Sequence, residues 1–126
     1  MTDNDRVVLT VPARGEFART VRLTAAELAS RVGMTIDEVD DVKLAVEEAF
    51  VFAVRRVEGS ELTFSFVLEP AGVELLVGPL PPSCAGLEET DAGERYARFI
   101  LESVCDEFEV LERGGECFLR VLKKTV

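Results

Sequence analysis

The sequence predicts an α+β fold, a two-layer sandwich in which three helices cover one face of a mixed, mostly antiparallel sheet. Three observations carry that expectation. Two consecutive stretches between Phe17 and Val57 repeat apolar residues at helical spacing, with turn and cap signals between them. Two later pairs of short β-rich runs are each joined by turn residues, as hairpins are. A third helical stretch separates the two pairs, so the order β-α-α-β-β-α-β-β leaves the helices to stack on one sheet.

Arg6 to Val11 is short and β-branched, bounded by Pro12, and reads as the first strand. Phe17, Val21, Ala25, Leu28 and Val32 then recur at spacings of four, four, three and four, one face of an amphipathic helix. Gly33 stands where a left-handed residue would end that helix. Thr35 followed by Glu38 is a capping box that starts a second helix. Its expected buried face is Ile36, Val39, Val42, Val46, Ala49, Ala53 and Val57, and Gly59-Ser60 ends it. Glu61 to Leu68 and Val73 to Val77 flank the turn Pro70-Ala71-Gly72 as a hairpin. Residues 78 to 93 hold three prolines and several turn formers, and read as a loop. Tyr96, Phe99, Ile100, Ser103 and Val104 mark a third helix. Phe108 to Leu111 and Cys117 to Leu122 flank Gly114-Gly115 as a closing hairpin.

The 126 residues predict one domain, 1–126, long enough to bury a core. An apolar fraction of 48% beside 30% charged residues is globular in character. No apolar run is long enough for a membrane span. The polar start MTDNDR lacks a signal segment, so a cytoplasmic protein is expected. The net charge of −10, without a basic stripe, argues against nucleic-acid binding and favours a basic protein partner or simple solubility. There is no histidine, which excludes a serine–histidine triad. Cys84, Cys105 and Cys117 fit no zinc spacing and read as free thiols, the last two in apolar contexts.

The segment ASRVGMTIDEVDDVKLAVEEA and the C-terminal CDEFEVLERGGECFLRVLKK resemble the anti-sigma factor serine kinases of bacterial partner-switching systems (RsbW-like). These belong to the Bergerat-fold, or GHKL, ATPase superfamily. The resemblance covers nearly the whole chain and implies the histidine-kinase-type ATPase fold. It also implies a nucleotide site made of three motifs. The first is an acidic residue and an asparagine one helical turn apart. The carboxylate serves as base or orienter, and the amide helps hold Mg²⁺ against the phosphates. Here the matching residues are Glu48 and Phe52. The second is an aspartate with glycines after the second hairpin strand, which selects adenine. That place falls near Pro79, and no acid occurs from Leu75 to Leu87. The third is a glycine-rich turn that receives phosphates through backbone N–H groups. Asp91 to Ala97 holds one glycine and two acids there, with Arg95 as the one basic side chain.

Two of those residue types cannot do the family's chemistry. A phenyl ring does not ligate magnesium, and proline removes backbone N–H groups. On this reading no catalytic residue and no cofactor are expected. Glu48, Phe52, Pro79 and Arg95 would only line the former nucleotide site. Phe50 and Phe52 lie about 200° apart on a helix, so one is expected in the core. Phe52 is expected to fill the emptied pocket, the alternative being an exposed aromatic patch. Arg22 stands fifteen residues before Asp37, the family's spacing for an arginine that contacts the sigma factor and the antagonist protein. Arg19 is its neighbour on the same helix. The resemblance thus implies a degenerate anti-sigma factor that binds a sigma factor or an anti-sigma-factor antagonist without ATP turnover, with a homodimer also in keeping with the family. The alternative is an active ATP- and Mg²⁺-dependent protein serine kinase with Glu48 as base. A small-molecule sensor is a third reading for which the sequence selects no ligand.

Overall fold

The computed structural model describes residues 4–57, 59–81 and 92–125. Cys84, Asp91 and most of the expected loop lie outside the described residues. The elements run β1 (Asp5–Pro12), α1 (Ala18–Arg31), α2 (Ile36–Val54), β2 (Glu61–Glu69), β3 (Gly72–Leu80), α3 (Ala92–Val104), β4 (Glu107–Arg113) and β5 (Glu116–Lys124), with a 3-10 turn at Gly15–Phe17 before α1. The five strands form one sheet in the order β1-β2-β3-β5-β4. Every pairing is antiparallel, which sharpens the mixed sheet expected from sequence. Neighbouring strands that are joined by hairpins must run antiparallel, and the two remaining pairings, β1 with β2 and β5 with β3, are antiparallel as well.

Alternation sets the core. Leu62, Phe64 and Phe66 on β2, Val73, Leu75 and Val77 on β3, and Leu119 and Val121 on β5 bury one face against α1 and α2. Phe50 of α2 stacks on Phe64 with ring centroids 5.8 Å apart and planes 2° apart. The opposite face carries polar pairs such as Thr10 with Thr63. It also carries Arg120, whose guanidinium bonds Glu74 at 2.7 Å and Glu107 at 3.0 Å. That cluster raises the arginine pKa, first through its bonds to Glu107 and Glu74.

The junction between α1 and α2 positions everything that follows. Gly33 takes φ 83°. Its N–H bonds the Ser30 carbonyl and the Met34 N–H bonds the Ala29 carbonyl, closing a Schellman turn. The capping box then starts α2: Glu38 N–H donates to Thr35 Oγ1 at 3.1 Å, and Thr35 N–H donates to Glu38 Oε1 at 2.9 Å. Glu38 is buried, and Thr125 Oγ1 donates to the same Oε1, tying the C-terminal strand to the start of α2. Lys123 adds an ion pair to Asp41 one turn further on.

Three expectations need correction, and α3 shows which of its faces is buried. Ile36 is 81% exposed, because the first helical residue projects past the edge of the core. α2 ends at Val54, so Val57 packs from the following turn and not from the helix. On α3 the buried residues are Ala97 and Leu101, while Tyr96 and Phe99 face outward at 61% and 65% exposure. Ala97 is small and buried on the side of α3 that packs on α2. Finally, β3 continues beyond Val77 to Leu80, where the loop was expected to begin. A register shift between Val77 and Leu80 lets Gly78 and Pro79 pass without ladder bonds, and Leu80 resumes pairing opposite Cys117. Gly78, at φ 152°, has room for no side chain, since a Cβ would meet the Phe118 ring at 2.7 Å.

Candidate functional site

α2 carries both groups of residues singled out from sequence, on different flanks. Toward α1, Glu47 meets Arg22, with Arg22 Nη1 donating to Glu47 Oε1 at 3.4 Å. Arg22 is half-buried, and its Nε is enclosed with no hydrogen-bond partner. Packing against α2 therefore holds the arginine stem while part of the guanidinium reaches solvent. Arg19, one turn earlier on α1, is exposed. Leu23 beside Arg22 is 52% exposed, and Leu44, one turn before Glu47, is 37% exposed. Sequence reasoning did not single out Leu23, Leu44 or Glu47. The signal was present in Leu23 and Leu44, which fall outside the two buried periodicities.

The other flank begins with Glu48. Phe52 follows one turn later on the same face, and Arg56 lies in the turn just after the helix. Phe52 lies about 140° around the helix from Glu47, away from α1. It is buried, 7% exposed, so the exposed aromatic patch considered for it does not occur. Phe50 is buried as well, at 1%. Both rings are enclosed because α2 packs against the sheet, α1 and α3, which widens its buried arc beyond one face. The Arg56 guanidinium lies over the Phe52 ring, 3.8 Å from its centroid, and Arg56 Nη1 donates to the Phe52 carbonyl at 3.1 Å. Arg56 was not among the residues chosen from sequence, although its position four after Phe52 was a readable signal.

Glu48 is half-buried. Burial, and then the neighbouring Glu47 carboxylate, push its pKa upward. A carboxylate so placed holds a proton more readily than an exposed glutamate and is suited to accept one from a hydroxyl. Pro79 is exposed in the last turn of β3, and Arg95 is exposed near the start of α3. Pro79 lines a hollow of about 520 Å³ at the end of the sheet together with Val57, Ser60, Thr63 and Glu116. Glu48 and Phe52 do not line that hollow, so the structure does not bring Pro79 together with them there.

The remaining groups are chemically quiet. Cys117 is wholly buried. Cys105 is pushed up to about 12, first by burial, so its thiolate is absent at neutral pH. Among the described residues no helix is long and apolar enough to cross a membrane.

Residues 11–96 match the model of the histidine kinase-like ATPase domain. The chain is similar to the serine-protein kinase RsbW of Halalkalibacterium halodurans, with 39% identity over 88% of this chain and 78% of that protein. It is also similar to the serine-protein kinases RsbW of Bacillus pumilus, at 32% identity, and of Bacillus subtilis, at 28%. Each of those matches covers 88% of this chain and 81% of the relative.

Proposed function

We propose a function from one premise: the chain belongs to the RsbW-like family of histidine kinase-like ATPase domains. On that premise it is a protein-binding regulator of the partner-switching type. It sequesters a sigma factor or binds an anti-sigma-factor antagonist, and it does so without turning over ATP. The observation that carries the second half is Phe52, buried on α2 at the position where the family's magnesium-holding amide belongs. Pro79 in place of an adenine-selecting aspartate supports the same reading. So do the acids among Asp91 to Ala97, which would repel a triphosphate.

The partner surface on this reading is the α1–α2 ridge. Arg22 offers a partner the part of its guanidinium that reaches solvent, its Nε being enclosed, and Arg19 adds a second positive charge. Leu23 and Leu44 supply apolar contact on either side of the Arg22–Glu47 pair. A partner carrying a carboxylate beside an apolar residue would complete both, with the family's antagonist or sigma factor as the candidates. A homodimer is part of the proposal as a property of the family. The cytoplasm is the compartment where such partners are met.

Capture from the host lysate, with identification of the bound proteins, tests this reading. A sigma factor or an antagonist retained by the wild type and lost by Arg22→Ala is the expected result. Capture of neither, from abundant folded protein, overturns it.

Glu48 favours a second reading. A carboxylate at the family's acidic position, with its pKa raised by burial, is placed as a base would be. The relatives are named serine-protein kinases. Transfer of labelled phosphate from ATP to an antagonist serine, abolished by Glu48→Gln, would establish the kinase and displace the first reading.

A further inference from the structure

The two margins of the sheet are built differently. β1 and β4 are the outer strands, and among the described residues neither has a strand on its outer side. β4 is guarded by Glu107, Glu109, Glu112 and Arg113, and charge along an edge strand opposes further pairing. β1 keeps its charges, Asp5 and Arg6, at one end and Pro12 at the other, with Val7, Val8, Leu9, Thr10 and Val11 between them. Its register with β2 runs unbroken from Asp5–Leu68 to Pro12–Glu61, so no bulge turns the edge aside. Val7 and Leu9 share the helix-side face with Phe66 and Phe64, yet both are only half-buried. Val8, on the open face, is 58% exposed. An apolar run that serves both faces is the composition of an interior strand, and here it stands at an edge.

We propose that β1 pairs with β1 of a second copy of this chain, antiparallel about Val8, and joins the two five-stranded sheets into one. The inference rests on the homodimer included in the reading above and gives it an interface. A second copy fits because the strand is complementary to itself. Helix-side residues must meet helix-side residues, which allows only registers whose paired residue numbers have an even sum. Centred on Val8, Val7 meets Leu9, Arg6 meets Thr10, Asp5 meets Val11 and Val8 meets its own copy. No like charges then stand opposite each other, although each chain carries a net charge of −10. Centring on Val7 would instead set Arg6 against Val8 and Asp5 against Leu9, and would cover charge with apolar side chains. In the Val8 register the exposed valine, the half-exposed Val7 and Leu9, and the free backbone groups of the edge leave water together.

Sedimentation equilibrium of the full chain tests this, with thermal unfolding to show that each variant is folded. The wild type is expected to dimerise reversibly with concentration. Val8→Lys sets two ammonium groups against each other across the axis and should raise the dissociation constant by about tenfold or more, whereas Val8→Ile should not weaken the dimer. Thr10 reports the register. Thr10→Glu places a carboxylate opposite Arg6 of the second copy and should give a tighter dimer than Thr10→Lys, and both variants lose the bond to Thr63 alike. Long-range repulsion between acidic chains alone would give the opposite order. A wild type that stays monomeric overturns the inference, including one whose β1 takes a strand from another protein. So does a dimer that Val8→Lys leaves intact, or one that Thr10→Lys tightens more than Thr10→Glu. Partner capture is read separately: a monomer that retains a sigma factor or antagonist leaves sequestration standing, and a dimer that retains neither leaves the edge pairing standing.

Discussion

The flank of α2 that meets α1 and the flank that turns away from it are built on one helix, and they differ in what they leave at the surface. Toward α1, charge is paired but reachable: Arg22 and Glu47 bridge the helices while Leu23 and Leu44 stay partly in solvent. Away from α1, the ring of Phe52 is buried and Arg56 lies on it. A helix shared by two surfaces can therefore present a different chemistry on each, because side chains 140° apart do not share neighbours. The fold does not depend on that difference. The capping box, the Schellman turn and the Phe50–Phe64 stack hold α2 in place from its ends and its sheet-facing side.

The comparison can be broken most forcefully from that sheet-facing side. Phe50→Ala removes a fully buried ring that stacks on Phe64, and should cost about 3–5 kcal/mol in denaturant unfolding. A smaller loss than that from Phe52→Ala would mean that the core and the α2 flank have been assigned the wrong way round. Next in size is Arg22→Ala. Its ion pair is partly exposed and long, so stability should change by less than about 1 kcal/mol. Partner affinity, read by calorimetric titration of the captured protein, should fall at least tenfold, or about 1.4 kcal/mol. Equal losses in stability and affinity would make Arg22 a structural residue. Thr35→Ala removes the cap that starts α2 and should cost about 1 kcal/mol, with both flanks otherwise unchanged.

Glu48 gives the smallest effect, visible as a pH slope. Its pKa is raised in the folded state, so the folded chain holds that proton more tightly than the unfolded chain does. The sign follows: the strain of the charged form is absent below the unfolded value, and stability falls as pH rises through the folded pKa. Glu48→Gln should flatten that part of the stability–pH curve, measured by thermal unfolding from pH 4 to 8. A steeper fall with rising pH in the variant would contradict the burial argument.

Much of this architecture was legible in the residues. Gly33, Thr35 and Glu38 mark the α1–α2 junction by chemistry that acts locally, so sequence spacing was enough. The hairpin turns at Ala71-Gly72 and Gly114-Gly115 were legible for the same reason. What escaped depends on tertiary neighbours. The face of α3 that packs on α2 holds small Ala97, and not the aromatic residues Tyr96 and Phe99. Burial of both Phe50 and Phe52 requires helices on two sides of α2, which periodicity along one chain does not register. The extension of β3 to Leu80 depends on a shift against β5, a partner more than thirty residues away. At the candidate site, Glu48 and Phe52 were readable as a one-turn pair, whereas Arg56 acquires meaning only once its guanidinium is seen on the ring.

Thermal unfolding with and without excess Mg·ATP tests the central claim most directly. A ligand at a hundred times its dissociation constant stabilises the folded state by about 2.7 kcal/mol, several degrees for a domain of this size. With the α2 flank filled by Phe52 and Arg56, the account predicts no rise in Tm at millimolar Mg·ATP. A rise of several degrees that disappears with EDTA would contradict it, and would return the chain to the ATP-dependent kinases it resembles.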